Sequence, residues 1–143
     1  NMSKGVHVTP NLDYVGFDPD SPANFRRSVY RFVFRTVPDP LMQLMDCPDA
    51  SQHAPKRDSS VTALQALAML NNRFLVRQSE RLSKRLQHES SSLSTQVRGL
   101  FELAYHREPE PEEGRLVLAL AREHGLANAC RVILNSNEFV FLN

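Results

Sequence analysis

The stretch TALQALAMLNNRFLVRQSERLSKRLQH, residues 62–88, decides the fold class of this chain. Apolar residues recur in it at helical spacing and predict an amphipathic helix about 40 Å long. Thr62 and Gln65 form a capping-box pair at its start, in which each side chain can reach the other residue's backbone N–H. Asn71 and Asn72 are poor interior helix formers and mark a place where the helix could bend or break. The stripe consists of Leu64, Leu67, Ala68, Phe74, Leu75, Leu82 and Leu86.

The same periodicity predicts four more helices, over residues 22–36, 93–106, 111–124 and 126–134. Gly125 suits the C-terminal cap between the last two of them. Residues 135–139 either restart as a helical turn or run out as coil. The later helices are predicted to face inward through Leu93, Val97, Leu100, Phe101, Ala104, Leu116, Val117 and Leu120.

The fold class that follows is mainly α, with about five helices in a small bundle-like array preceded by an irregular N-terminal arm. Residues 1–21 are expected to form that arm, or a leader left by cloning, because glycine and proline punctuate them without any period. Residues 22–143 are predicted to form a single helical domain, since the serine run at 90–92 is too short to separate two domains.

Composition narrows the class of protein and of partner. The chain has 143 residues, 17 Lys and Arg against 16 Asp and Glu, and 41% hydrophobic residues, which is typical of a globular domain. The near-neutral charge gives no pull toward nucleic acid. No apolar run approaches the roughly 20 residues that span a bilayer, so membrane insertion is not expected. Cys47 and Cys130 are expected to be small buried hydrophobes, with one disulfide between them as the alternative.

Three arginines form the first candidate site. Arg27, Arg31 and Arg35 recur at i, i+4 and i+8 and therefore share one face of the first predicted helix. Guanidinium forks suit planar oxyanions, so this stripe could bind an anionic glycan. The structural alternative is a solvated face, or a face that docks on the rest of a larger parent protein.

A second candidate lies in the turn-rich segment that follows. Asp46, Asp49, His53 and Arg57 could contribute part of an enzyme site that upstream residues would complete. The two carboxylates are too few for calcium. The structural interpretation, which the pattern favours, is Asx-turn and cap chemistry or pairing with Arg26 and Arg57.

Other signatures of chemistry are missing from the sequence. The five histidines share no ligand spacing, and there is no G-x-S-x-G and no glycine-rich phosphate loop. The sequence therefore predicts no catalytic residue, no metal site and no cofactor, and the chain is not expected to be an enzyme on its own.

Asn71 is the remaining candidate, because it falls on the apolar stripe. A buried Asn must satisfy up to four hydrogen bonds. Its amide is therefore expected to tie the helix to the backbone of a neighbouring loop, with ligand binding as the alternative.

Five phrases, taken in order, resemble a known family. They are RRSVY at 26–30, MDCPD at 45–49, TALQAL with LNN at 62–72, LF to REP at 100–109, and LNSNEF at 134–139. The chain is similar over about residues 22–143 to the C-terminal domain of a planctomycete surface-protein family that often carries cytochrome c domains and is described as a domain of unknown function. Ala63 stands where that family commonly has Pro, and Val61 where it has Asn.

The resemblance implies an exported protein, periplasmic or at the cell surface, and a helical C-terminal module. The function expected from it is a non-catalytic interaction or structural module that docks on other domains of its parent, including any cytochrome c domain. A homodimer formed through an exposed apolar patch is a further alternative. No CxxCH occurs in the chain, so the resemblance does not place haem here.

Overall fold

A computed structural model describes residues 18, 20–22, 30, 42 and 63–140 of the chain. Contacts divide the chain into one unit of residues 1–60 and a second of residues 61–143, and the fold described here is that of the second unit. The predicted boundary between arm and domain at residue 22 falls in the first unit and stays a prediction.

Six helices and no strand make up the second unit as far as it is described, which confirms the mainly α class. The helices are α1 Ala63–Asn71, α2 Arg73–Glu89, α3 Leu93–Tyr105, α4 Pro111–His124, α5 Leu126–Leu134 and α6 Asn137–Val140. The predicted bounds of the last long helix are confirmed, and residues 137–140 do restart as a helical turn. None of these helices is both long enough and apolar enough to span a bilayer.

The predicted helix over 62–88 is two helices, because Asn72 ends one and caps the next. Its backbone is extended, with φ −65° and ψ 123°. Its Oδ1 accepts hydrogen bonds from the backbone N–H groups of Phe74 at 2.9 Å and Leu75 at 3.4 Å. A short Asx side chain satisfies the first free N–H groups of a helix in this way. The predicted break is confirmed, whereas Thr62 of the predicted capping box lies outside the described residues.

A second cap was missed by the sequence reasoning. Glu110, directly before Pro111, and Glu113, three residues after Glu110, form a reciprocal capping box at the start of α4. Gly125 separates α4 from α5 with φ 85°, a backbone conformation that favours glycine, so its predicted role between the two helices is confirmed. His106 ends α3 in the left-handed region, with φ 56°.

The core of the unit lies between α2, α3, α4 and α5, and α5 packs most extensively against α2. The predicted inward face of α3 is confirmed, since Val97, Leu100 and Phe101 are buried. The prediction for Leu116 was wrong. The inward face of α4 centres on Val117 and Ala121, which leaves Leu116 exposed at its edge. The buried hydrophobic residues are Leu86, Val97, Leu100, Phe101, Ala121, Leu126, Ala129, Cys130, Ile133 and Leu134.

Candidate functional site

Most of the site residues predicted from the sequence lie outside the described residues. Their roles as an anion-binding stripe and as a partial enzyme site therefore stay predictions. These residues are Arg27, Arg31, Arg35, Asp46, Asp49, His53 and Arg57.

Asn71 is described, and it lies at the exposed C-terminal end of α1. Its Nδ2 donates to the carbonyl of Leu67 at 3.1 Å, and its Oδ1 accepts from Arg131 Nη2 at 3.3 Å. Arg131 Nε also donates to the carbonyl of Leu70 at 2.7 Å. The expectation of a buried Asn bound to a loop backbone was wrong, because α1 does not bury its stripe. Asn71 instead helps to fasten the end of α1 to α5.

The densest polar cluster of the described residues centres on Arg107, in the loop between α3 and α4. Its guanidinium donates hydrogen bonds to the Glu113 carboxylate from Nη1 at 2.7 Å and from Nη2 at 2.8 Å. It also donates to the Glu138 carboxylate from Nε at 2.7 Å and from Nη2 at 2.8 Å. Nη1 also donates to the carbonyl of Glu108 at 3.1 Å. One arginine therefore joins the start of α4 to α6.

Two aromatic rings lie against the same guanidinium. Its central carbon is 5.6 Å from the ring centre of Phe101 and 5.3 Å from that of Tyr105, distances at which a cation is attracted to a ring face. The Tyr105 hydroxyl and the Ser136 hydroxyl are 2.6 Å apart, and Ser136 also donates to the carbonyl of Ile133 at 2.8 Å. Ser136, which follows α5, is thus bonded both to Tyr105 of α3 and to Ile133 of α5.

The electrostatics of this cluster are those of a structural clamp. Hydrogen bonds from Arg107, and then the Glu110 backbone N–H, lower the pKa of Glu113 to about 2. Arg107 also lowers the pKa of Glu138, and both carboxylates raise the pKa of Arg107. Carboxylates held ionised in this way make poor proton acceptors near neutral pH. The cluster therefore fixes loops and does not resemble an acid–base site.

Two of the phrases quoted for the family resemblance meet at this clamp. Phe101 and Arg107 belong to the phrase at 100–109, and Ser136 and Glu138 belong to the phrase at 134–139. Arg107 and Glu138, which bond each other, are 31 residues apart along the chain. No spacing in the sequence points to that contact, so the sequence reasoning missed it.

The α1 helix presents an exposed apolar surface, here called the leucine face. It consists of Leu64, Leu67 and Leu70, which recur at i, i+3 and i+6 and are 67%, 56% and 39% exposed. The helix Ala63–Asn71 has no charged residue, and none of its residues is buried. The sequence predicts an apolar stripe that includes Leu64 and Leu67, and on α1 that stripe is exposed, because periodicity shows that a helix has an apolar side but not what covers it.

A shallow groove of about 300 Å³ runs along α2 and is here called the basic groove. Gln78, Arg81, Leu82 and Arg85 line one side of it, and Leu134 of α5 lines the other. The Nε2 of Gln78 is buried and has no hydrogen-bond partner among the described residues.

Cys130 lies in the centre of the core as a free thiol. Burial raises its pKa to about 12. The expectation of a small buried hydrophobe is confirmed for Cys130, and the alternative of a disulfide is wrong because this thiol is unpaired. Cys47 lies outside the described residues.

Metal binding has no support in the part of the chain that the structure describes. No three His, Cys, Asp or Glu side chains are grouped there so as to hold an ion.

A protein-family model, "PSD1: Protein of unknown function (DUF1553)", matches residues 3–121, which is most of the chain. The chain belongs to this family. The family resemblance drawn from the sequence is therefore confirmed. No curated protein and no solved structure matches the chain. The part matched to the PSD1 family ends within α4, so α5 and α6 lie beyond it.

Proposed function

We propose that this PSD1-family chain is a non-catalytic docking module whose leucine face binds an amphipathic helix from another domain of its parent protein. The exposed leucine face of α1 carries the proposal. Large apolar side chains that share one face and remain in water are typical of an interaction surface. The family match supports a module of this kind without naming its partner.

The spacing of the leucines selects the kind of partner. An amphipathic helix lays anchors at i, i+3, i+4 and i+7 along an apolar surface, and a stripe at i, i+3 and i+6 matches that geometry. Fully burying one leucine contributes roughly 1.5–3 kcal/mol. The leucine face is therefore a suitable anchor for a partner of similar length.

The positive charges near the C-terminal end of α1 favour a partner helix with acidic side chains beside its apolar face. The helix has no charge of its own, but Arg131 reaches the carbonyl of Leu70 and Arg73 begins the next helix. Acidic side chains on the flank of the partner would complement these two cations. The occupant we propose is thus an amphipathic helix with an acidic rim.

The setting of this docking is part of the proposal. Export to the periplasm or cell surface, and a parent that carries other domains such as cytochrome c, are implied by the resemblance drawn from the sequence. A docking module within such a parent needs no catalytic residue, no metal and no cofactor of its own.

The proposal is tested by placing a photo-crosslinking amino acid at Leu67 in the full-length parent protein. The matched control carries it at Leu116, which is also exposed but lies on α4. We expect the Leu67 position to crosslink, well above the control, to an acidic amphipathic segment elsewhere in the parent.

Three results would contradict it. A crosslink between Leu67 residues of two copies would indicate a homodimer. A crosslink only within residues 1–143 of the same chain would make the leucine face an internal packing surface. Equal yields at Leu67 and Leu116 would leave the leucine face without a specific partner.

A further inference from the structure

We infer that the junction between α1 and α2 is a two-state switch, which Arg131 of α5 holds in the form that the structure shows. In this form, here called the capped form, Asn72 separates the two helices. In the second form, here called the continuous form, Asn72 joins one unbroken helix from Ala63 to Glu89. The switch regulates the leucine face, and in that respect the inference rests on the proposed function.

The backbone hydrogen bonds at the junction have an alternative arrangement. In an unbroken α-helix, the N–H of Phe74 donates to the carbonyl of Leu70, four residues earlier. In the capped form that N–H donates instead to Asn72 Oδ1 at 2.9 Å, and the Leu70 carbonyl accepts from Arg131 Nε at 2.7 Å. Both backbone groups have a partner in either form, so the exchange leaves neither of them unsatisfied.

The apolar pattern of the sequence is in phase across the junction. Counted at about 100° per residue, Leu64, Leu75 and Leu82 fall within about 20° of one another around a single helix axis. Two helices that were always separate would need no common phase. Asn72 opposes the continuous form, because Asn is a poor interior helix former and a good N-cap. The local sequence therefore contains opposed preferences for the two forms.

Arg131 favours the capped form, because its shortest contact uses a carbonyl that the continuous form needs. Its Nε bonds the Leu70 carbonyl, and its Nη2 donates to Asn71 Oδ1 at 3.3 Å. Both bonds are exposed, so water can replace Arg131 when this latch opens. No residue of α1 is buried, so α1 can turn without opening the core of the unit.

The two forms present the leucine face differently. In the capped form, Arg131 fixes the last turn of α1 to α5. In the continuous form, the Leu70 carbonyl is taken by the N–H of Phe74, and the leucine face follows the axis of α2. A partner helix with an acidic rim needs Arg131 beside the leucine face. Its binding therefore shifts the population toward the capped form.

The test measures the Cα and Cβ NMR chemical shifts of residue 72 in this chain, since they distinguish helical from extended backbone. Arg131→Met removes the donors of the latch and keeps an aliphatic side chain of similar length. We expect the Cα shift of Asn72 to move downfield by about half of its difference from the helical value. The matched control, Arg122→Met, removes an exposed arginine of α4 and should leave the shifts of Asn72 unchanged.

Substitutions of Asn72 test the switch from the other side. Asn72→Ala removes the cap and adds a strong helix former, so its combination with Arg131→Met, the double variant, should have fully helical shifts at residue 72. Asn72→Asp keeps an acceptor for the N–H of Phe74, and its backbone should stay extended. The shifts of Arg107 and Glu138 should be unchanged in every variant, because the core stays closed when α1 turns.

Three results would overturn the switch. Residue 72 could keep extended shifts in the double variant, which would mean that no continuous form exists. The Arg122→Met control could move the shifts of Asn72 as far as Arg131→Met does. Random-coil shifts throughout Ala63–Asn71 in Arg131→Met would show that α1 melts when the latch opens and does not join α2.

Photo-crosslinking from Leu67 in the full-length parent separates the switch from the docking. The double variant should crosslink about tenfold less than the unchanged parent, because the capped form that the partner needs is depleted. An equal yield despite helical shifts would contradict regulation of the leucine face. Helical shifts with no specific crosslink in the unchanged parent would support the switch and contradict the docking. Extended shifts with a specific crosslink would do the reverse.

Discussion

Arg107 engages all five of its N–H donors. Four of them bond the carboxylates of Glu113 and Glu138, and the fifth bonds the carbonyl of Glu108. The planar fork also lies against Phe101 and Tyr105. A lysine has the same charge but only three donors around a single point, so it cannot hold two carboxylates in two-point contact.

Arg107→Lys is therefore expected to lower the unfolding midpoint by a few degrees, because the contact that joins α4 to α6 weakens. The control is Arg115→Lys. Arg115 also bonds one carboxylate at two points, through Glu112, but that pair is largely exposed and lies within one helix. Thermal unfolding followed by circular dichroism checks both variants. A midpoint that falls equally in both would show that the clamp adds no more than a surface pair.

The lowered pKa of Glu113 makes stability depend on pH. The folded chain lowers that pKa from about 4.5 to about 2, so its contribution is full above pH 4.5 and is lost as the pH falls through about 2. Glu113→Gln keeps an acceptor for the Glu110 N–H but no charge. We expect the decline in the free energy of unfolding between pH 4.5 and 2 to be smaller in this variant.

Urea unfolding at several pH values measures that decline. Glu123→Gln serves as the control, because Glu123 is exposed and its one ion pair among the described residues is with His124, at 3.7 Å. An unchanged pH slope in Glu113→Gln would mean that the Arg107 pair does not depend on ionisation of Glu113.

The helices show how far the sequence could predict this structure. Periodicity predicted the bounds of α5 and the inward face of α3, because those helices bury the faces that their apolar residues mark. It failed for α1, where the same pattern marks an exposed leucine face. It also could not predict that Arg107 meets Glu138, since that contact depends on how α3 and α6 pack. Seven of the candidate site residues lie outside the described residues, and their roles stay predictions. The leucine face and the basic groove were found only in the structure.

Two helical glycines are expected to respond oppositely to alanine. A Cβ at Gly99 would lie 3.1 Å from Cδ2 of Leu86, which is buried, whereas a Cβ at Gly114 would meet Pro109 at 3.7 Å. Alanine gains about 1 kcal/mol over glycine within a helix, but overpacking a core costs about 1–3 kcal/mol. We therefore expect Gly99→Ala to lower the free energy of unfolding by about 1 kcal/mol. Gly114→Ala should raise it by about 0.5–1 kcal/mol.

Urea unfolding of the two alanine variants side by side decides this. Stabilisation by Gly99→Ala would show that Leu86 moves aside easily and that the contact between α2 and α3 is not tight.

At the scale of the whole unit, α5 is the helix around which the others pack. It supplies Leu126, Ala129, Cys130, Ile133 and Leu134 to the core, which is half of the buried hydrophobic residues in the part of the unit that the structure describes. Cys130 and Ala129 have no exposed surface. The thiol of Cys130 therefore becomes accessible only when the packing around α5 opens.

Cys130 should accordingly report unfolding of the unit. In a Cys47→Ser chain at pH 8, we expect a thiol reagent to label Cys130 at least about a hundredfold more slowly than free cysteine, since the thiol is buried and its pKa is raised to about 12. The rate should rise with urea in parallel with the loss of helical circular dichroism. Labelling in native buffer at the rate of free cysteine would contradict the buried position.

The place of α5 in the chain has a consequence for biosynthesis. A ribosome makes α1 to α4 before the helix that supplies half of their common core. Until α5 has emerged, Leu86, Leu100 and Phe101 lack the neighbours that cover them. The nascent chain therefore passes through an interval in which chaperones can bind those side chains, and that interval closes only when α5 leaves the exit tunnel.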